Sequence, residues 1–408
     1  MLNDTSHAPE QPLPLQGYRV LDMATMVAAP YCASILGEFG AEVIKLEIPG
    51  IGDPWRRFGT MTATGSTLNW LNEARNKKSI TLDLRKPEGN ALVKRLIEKC
   101  DVVIENFRPG TFEKWGLGPA VLKKLKPDLI FVRVSAYGQD GPYRDRPGYA
   151  RVAHGFGGLT YLAGEPGRPP VVPGSTSLAD YITGTYAAIG ALMALIARNR
   201  YGIGQAVDVG LYEGIFRMLD ETASVYAKTG EVRERMGADT VNAVPHSHYE
   251  TKDGRWVALA CSSDKMFERL ATVMGQPELV RADRFATVAQ REAGRSEVNR
   301  IVADWMRTMT LDDLMARCIE GDVPIGPINS IADIFADEHI KARGNLVEMH
   351  DQREGKVVVP NVLPRLSETP GTIQSLGPDL GQHNDEIFGG LLELSADELR
   401  HLREQKII

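Results

Sequence analysis

Apolar residues in the first half of the chain fall in short runs that end in polar or turn residues, with stretches of helical spacing between them. Arg19–Asp22 (RVLD) predicts a strand; Pro30 opens a helix through Ile35, Leu36 and Phe39 that stops at Gly40; residues 41–47 (AEVIKLE) predict a second strand. Two strands so close across one helix form a parallel pair with a crossover, the opening of a Rossmann-like sheet. Further strands are expected at 79–84 (SITLDL), 101–105 (DVVIE), 128–134 (DLIFVRV) and 205–211 (QAVDVGL), with an amphipathic helix at 88–99. After residue 225 the pattern changes to a hairpin turning at Asp253-Gly254 and helices near 264–275, 295–308 and 311–319. The expected class is α/β, a Rossmann-like large domain with a parallel sheet plus a smaller α+β domain. The expected division is a flexible tail at 1–16, the large domain at 17–225, the small domain at 226–325 and a return to the large domain at 326–408.

One stretch stands apart. Residues 178–198 (LADYITGTYAAIGALMALIAR) carry no charge between Asp180 and Arg198. Ile182, Tyr186, Ile189, Met193 and Ile196 form one helical stripe, and Gly184, Ala187, Ala188, Ala191 and Ala194 another. A helix apolar on both sides is expected to be buried, with its small face admitting another backbone. Ser177 and Asp180 have capping-box spacing, which makes Asp180 a first-turn acid that free amides keep ionised. An ionised, sheltered carboxylate can also act as a nucleophile. A membrane span is the poorer reading, because the uncharged run is at the short limit and has no companion.

Composition narrows the function. A net charge of −6 over 408 residues argues against a general nucleic-acid binder. Cys32, Cys100, Cys261 and Cys318 lie far apart without CxxC spacing, so neither a zinc site nor a disulfide framework is indicated. Residues 1–16 lack a secretory pattern, and the cytoplasm is the default location. The turn after the first strand, 23–29 (MATMVAA), contains no glycine, unlike a dinucleotide fingerprint. Around the strand ends stand Arg75, Asn76, Lys77 and Lys78, then Arg85, then Asn106, Phe107 and Arg108, then residues 135–141 (SAYGQDG), beginning at Ser135. Basic groups beside an aromatic ring suit a ligand with phosphates and a planar base.

Taken in order, the segments RVLDMATMVAAPYCASILGEFGAEVIKLE, NEARNKKSITLDL, DVVIENFRPGTFEKWGL, YGQDGPYRDRPGY, SLADYITGTYAAIGALMALIAR and VPIGPIN resemble the class III coenzyme A transferases, the CaiB/BaiF or formyl-CoA transferase family. The resemblance spans nearly the whole chain from Gly17. It implies that Asp180 is the nucleophile, forming an aspartyl anhydride and then an aspartyl-CoA thioester. It further implies that Ala28, Leu82, Arg85, Asn106, Phe107, Lys114 and Tyr149 contact CoA. It implies no permanently bound cofactor, with CoA entering as part of the substrates.

The chain also departs from the family. Ile48 stands where some members carry a phosphate-binding Arg, so Lys77, Lys78 or Arg56 is expected to take over part of that grip. The shielding glycine loop has no counterpart near 240–262, and His154 replaces the usual Gln; His154 and His246 are accordingly expected to position an acyl or acceptor carboxylate. The family's acyl-CoA racemases commonly carry a His-Asp pair where this chain has Tyr149-Ala150, which disfavours proton abstraction. A non-catalytic CoA-binding protein would leave the sheltered Asp180 unexplained. The chain looks most similar to members that use succinyl-CoA and malate, citramalate or glutarate. The family implies an interlocked homodimer, or a heteromer with a homologous subunit, and no nucleic-acid or membrane partner.

Overall fold

The computed structural model describes residues 12–172, 174 and 176–408. They divide into two compact units, one running through Leu159 together with Gly174–Lys228 and Gly344–Ile408, the other made of Thr160–Pro173 and Thr229–Arg343.

The first unit is built on a six-stranded sheet of β1 (Arg19–Asp22), β2 (Glu42–Glu47), β3 (Lys77–Thr81), β4 (Val102–Glu105), β5 (Ile130–Ser135) and β6 (Gln205–Gly210). The order is β3-β2-β1-β4-β5-β6, and every pairing is parallel. Runs such as Val102–Val103–Ile104 are buried because helices cover both faces of a parallel sheet. From β1 the chain winds outward to β2 and β3, and later outward again through β4, β5 and β6. This reversal leaves a crevice beyond the carboxyl ends of β1 and β4, where doubly wound folds bind ligands.

Helix α1 (Ala28–Glu38) starts two residues before Pro30, which therefore falls in the first turn, where its missing amide costs nothing. Further along, α2 (Ala150–Phe156) precedes the long helix α3 (Leu178–Tyr201). The small face of α3, including Thr183, Gly184, Ala187, Ala188, Ala191 and Ala194, is buried. A side chain at Gly184 would place its Cβ 2.4 Å from the carbonyl oxygen of Ala28, so glycine there sets how closely α3 approaches α1. The other face departs from expectation: Ile189, Met193 and Ile196 are exposed. Among the described residues α3 is the one helix long and apolar enough to cross a membrane, and its small face is packed within the first unit.

Most of the expected tail, 1–11, lies outside the described residues. Residues 12–16 lead into a seated segment, where Leu15 is buried and its amide donates to the Phe39 carbonyl at 2.9 Å. The C-terminal part of this unit includes the antiparallel pair β10 (Leu346–Asp351) and β11 (Gly355–Pro360).

In the second unit, β7 (His246–Glu250) and β8 (Trp256–Ala260) form the expected hairpin, and β9 (Ile325–Pro327) adds to β8. Helices Asp264–Met274, Arg295–Met306 and Leu311–Glu320 bury Phe267, Leu270, Val298, Val302 and Leu314. Because β9 belongs to this sheet, the chain leaves the unit near Gly344 rather than at residue 326.

Candidate active site

Two adjoining cavities open at the crevice of the first unit. The first, about 320 Å³, is lined by Thr25–Ala28 after β1, Asn106–Pro109 after β4, Val134–Ala136 at the end of β5, Leu211 after β6, Tyr149 and Asp180. The second, about 230 Å³ and largely apolar, lies between Met23, Leu46, Ile48, Leu82, Leu84, Arg85, Phe107 and Trp115. Thr25, Pro54 and Phe107 border both.

The loop between β1 and α1 needs no glycine because side chains hold it. Asn106 clamps Thr25, accepting from its amide at 2.9 Å and donating to its carbonyl at 2.7 Å. Asp53 accepts from the Met26 amide at 3.0 Å, and Met26 itself sits at a φ of 67°. Beneath the loop, Lys45 donates to the Ala24 carbonyl and pairs with Asp53 at 2.9 Å and with Asp22 at 3.7 Å. Burial works against the Lys45 charge, but Asp22 and Asp53 lift its pKa above the usual value.

Asp180 lies in the first turn of α3. The expected capping box is not formed: Ser177 makes no side-chain cap. Its place is taken from another helix, since Nε2 of His154 on α2 accepts from the Ala179 amide at 2.9 Å. His154 is 1% exposed, and burial, then the charge of Arg151, holds its pKa below the usual value, so the ring stays a neutral acceptor. Among the described residues the Asp180 carboxylate has no hydrogen-bond or ion-pair partner, and burial alone pushes its pKa up to about 7. The first-turn amides therefore do not hold it in the ordinary carboxylate range.

Of the residues expected to contact CoA, Ala28, Asn106, Phe107 and Tyr149 line the cavity with Asp180, while Leu82 and Arg85 line its neighbour. Lys114 is exposed on the short helix Thr111–Lys114 and borders neither. Lys77 is a correction: its amine is buried, paired with Asp22 at 2.9 Å and donating to the Pro30 carbonyl at 2.7 Å. Lys78 is shared between Glu42 and Glu386, and Arg56 is held by Glu47 at 2.7 Å while stacking on Trp70. The reason lies in register: β3 begins at Lys77, not Ser79, so these lysines start the strand, away from its ligand-facing end. His246 belongs to the second unit, where its Nδ1 is buried without a partner among the described residues. A cleft of about 950 Å³ in that unit, beside Trp256 and the Arg255–Asp333 ion pair (3.1 Å), is lined by none of the expected site residues.

A family model described as CoA-transferase family III matches residues 15–384. The chain belongs to this CoA-transferase family. It is 54% identical over 400 residues to the succinyl-CoA:L-malate CoA-transferase alpha subunit of Chloroflexus aurantiacus, covering 98% of this chain and 94% of that protein. It is 46% identical over 397 residues to the succinyl-CoA:D-citramalate CoA-transferase of the same organism, covering 97% and 98%. A solved CaiB/BaiF family protein from Brucella suis superposes with a TM-score of 0.82 at 36% identity, covering 93% of this chain and all of that one. The chain is thus a class III CoA-transferase with the CaiB/BaiF fold.

Among the lining residues of this transferase's first cavity that the expected site did not include are Arg144, Arg146 and Ser135. Arg144 and Arg146 sit in the turn-rich segment after β5, Arg144 near Asp145 at 3.5 Å and Arg146 stacked on Tyr143 at 3.6 Å. Their signal was present in the YRDRPGY segment. Ser135 closes β5, within the strand-end segment 135–141 that the sequence marked as ligand-facing, but without a role of its own.

Proposed function

We propose that this enzyme moves CoA between succinyl-CoA and a short dicarboxylic acid such as malate or citramalate, with Asp180 as the nucleophile. The observation that carries it is a partnerless, partly buried carboxylate facing a cavity at the sheet's switch point. An oxygen of ionised Asp180 attacks the thioester carbon; the C–S bond breaks, releasing CoA thiolate and leaving a mixed anhydride. The thiolate attacks the aspartyl carbonyl, succinate departs, and an aspartyl-CoA thioester remains. The acceptor carboxylate then attacks that thioester, expelling the thiolate and forming a second anhydride. Return of the thiolate to the acceptor's carbonyl completes the new thioester and frees Asp180. One thioester replaces another, so the chemistry calls for orientation and exclusion of water rather than an energy source.

The apolar neighbour bounded by Leu82, Phe107 and Trp115 suits the planar base of CoA, with Arg85 for its phosphates. Arg108, Arg144 and Arg146 bring positive charge to the reaction cavity, which suits substrates that carry a second carboxylate. The names of the similar transferases support the same substrate class. The exposed Ile189, Met193 and Ile196 suit cover by a second copy or a homologous subunit in a cytoplasmic enzyme.

The test is an acceptor screen with succinyl-CoA, with mass spectrometry for CoA bound to Asp180 after mild trapping. Folded Asp180→Asn is expected to lose at least about 10³-fold in kcat and to give no adduct. Parent-like transfer by that variant would end the proposal.

A further inference from the structure

Among the residues with a side-chain atom that is shielded from solvent and lacks a partner in the described residues, Ser135 alone is one that lines the cavity that holds Asp180. Ser135 is the last residue of β5 and 7% exposed, with its backbone paired in register to Gly210 of β6. Other buried hydroxyls of this unit are spent inside the protein: Ser34 on the Pro30 carbonyl at 3.0 Å, Ser79 on Glu47 at 2.6 Å, and Thr183 on the Leu211 carbonyl at 3.3 Å. A buried hydroxyl with no partner is a cost to the folded chain, and such a group calls for an explanation. Here the residue that carries it lines a cavity of about 320 Å³ together with Asp180, whose carboxylate also lacks a partner among the described residues, and rotation about the Cα–Cβ bond would bring the hydroxyl to the cavity.

We infer that Ser135 is a catalytic residue whose hydroxyl donates a hydrogen bond to the acyl carbonyl oxygen of the bound thioester. The inference rests on Asp180 being the nucleophile. When an Asp180 oxygen bonds to the thioester carbon, the carbonyl π pair moves onto that oxygen; as the intermediate collapses, the pair returns and the C–S bond breaks. Ser135 keeps its proton throughout and serves the charge that appears between these two events. A rigid strand end positions such a donor without reorganisation, and a donor aimed at developing charge lowers the barrier more than it tightens ground-state binding. The serine also forms hydrogen bonds on substrate arrival that it lacks in the free protein.

The experiment compares Ser135→Ala, Ser135→Cys and Asp180→Asn with the parent, using purified full-length protein and succinyl-CoA. It reads steady-state transfer to malate, the single-turnover rate of CoA attachment to Asp180, and thermal midpoint. Ser135→Ala is expected to slow both kcat and attachment about 10- to 100-fold, with KM for succinyl-CoA within about threefold of the parent. Ser135→Cys, a weak donor of nearly the same size, is expected to fall between. The thermal midpoint of Ser135→Ala should be unchanged or higher, because an unpartnered buried hydroxyl is removed. A purely structural serine would show the opposite, a lowered midpoint with little change in kcat. Attachment by Ser135→Ala within twofold of the parent, with Asp180→Asn inactive, overturns the role of Ser135 and leaves Asp180 standing. Activity in Asp180→Asn overturns both.

Discussion

Asp180 shows how a single residue can be visible in the sequence while its state is not. Its isolation ahead of a charge-free helix marks it, yet the expected stabilisation by helix amides is outweighed by burial, which raises its pKa to about 7. Only the ionised form can attack, so kcat/KM for succinyl-CoA should rise about tenfold per pH unit below about 7 and level off above it. A pH–rate profile checks this, and a flat profile between pH 5.5 and 8 would contradict it. The sign for stability is opposite. A carboxyl with a folded pKa near 7 and an ordinary value of 3.8 takes up a proton on folding between those limits, so stability falls as pH rises through that window and stays low above it. Asp180→Asn is accordingly expected to be more stable than the parent at pH 8, by about 1–3 kcal/mol, in the same denaturant titration that shows its fold intact. Lys77 makes the complementary point: a lysine in a basic run reads as a phosphate ligand, but its partner Asp22 is 55 residues away in the chain.

At the scale of elements, α3 is positioned by what it lacks. Gly184 lets the Ala28 carbonyl approach, so the second turn of α3, directly after Asp180, sits against the first turn of α1. Gly184→Ala would force the helices apart or distort them, and is expected to cost about 1–3 kcal/mol in denaturant unfolding. It should also lower kcat several-fold while Asp180 remains in place. A variant as stable and as active as the parent would show that the close approach is dispensable. The helix start itself is completed by His154 of α2 rather than by Ser177, a cap supplied from outside the local sequence. Helix and strand positions were largely legible from periodicity, and Asp264–Met274, Arg295–Met306 and Leu311–Glu320 fall where the pattern indicated. The start of strand β3 was not, because its basic first residues resemble a loop until the pairings of Lys77 and Lys78 with β2 are known.

At the scale of the whole molecule, the exposed apolar stripe of α3 is the largest departure from the buried helix that the sequence indicates. Met193 is 65% exposed in the single chain. If a second copy or homologous subunit covers it, Met193→Glu should shift the protein from dimer toward monomer in sedimentation velocity at micromolar concentration. A parent that sediments as a monomer would remove the need for a covering subunit. The amino-acid sequence by itself determined the parallel α/β class, the hairpin and helices of the smaller unit, the lone acid and the transferase family, because periodicity, turn chemistry and motif order are local properties of a chain. The tertiary structure decided which charges are spent on one another, that His154 caps α3, that the Ser135 hydroxyl has no partner among the described residues and that Asp180 is raised toward neutrality. Those depend on distances between residues far apart in sequence and on how much water folding removes around them, and neither quantity is written in any short segment.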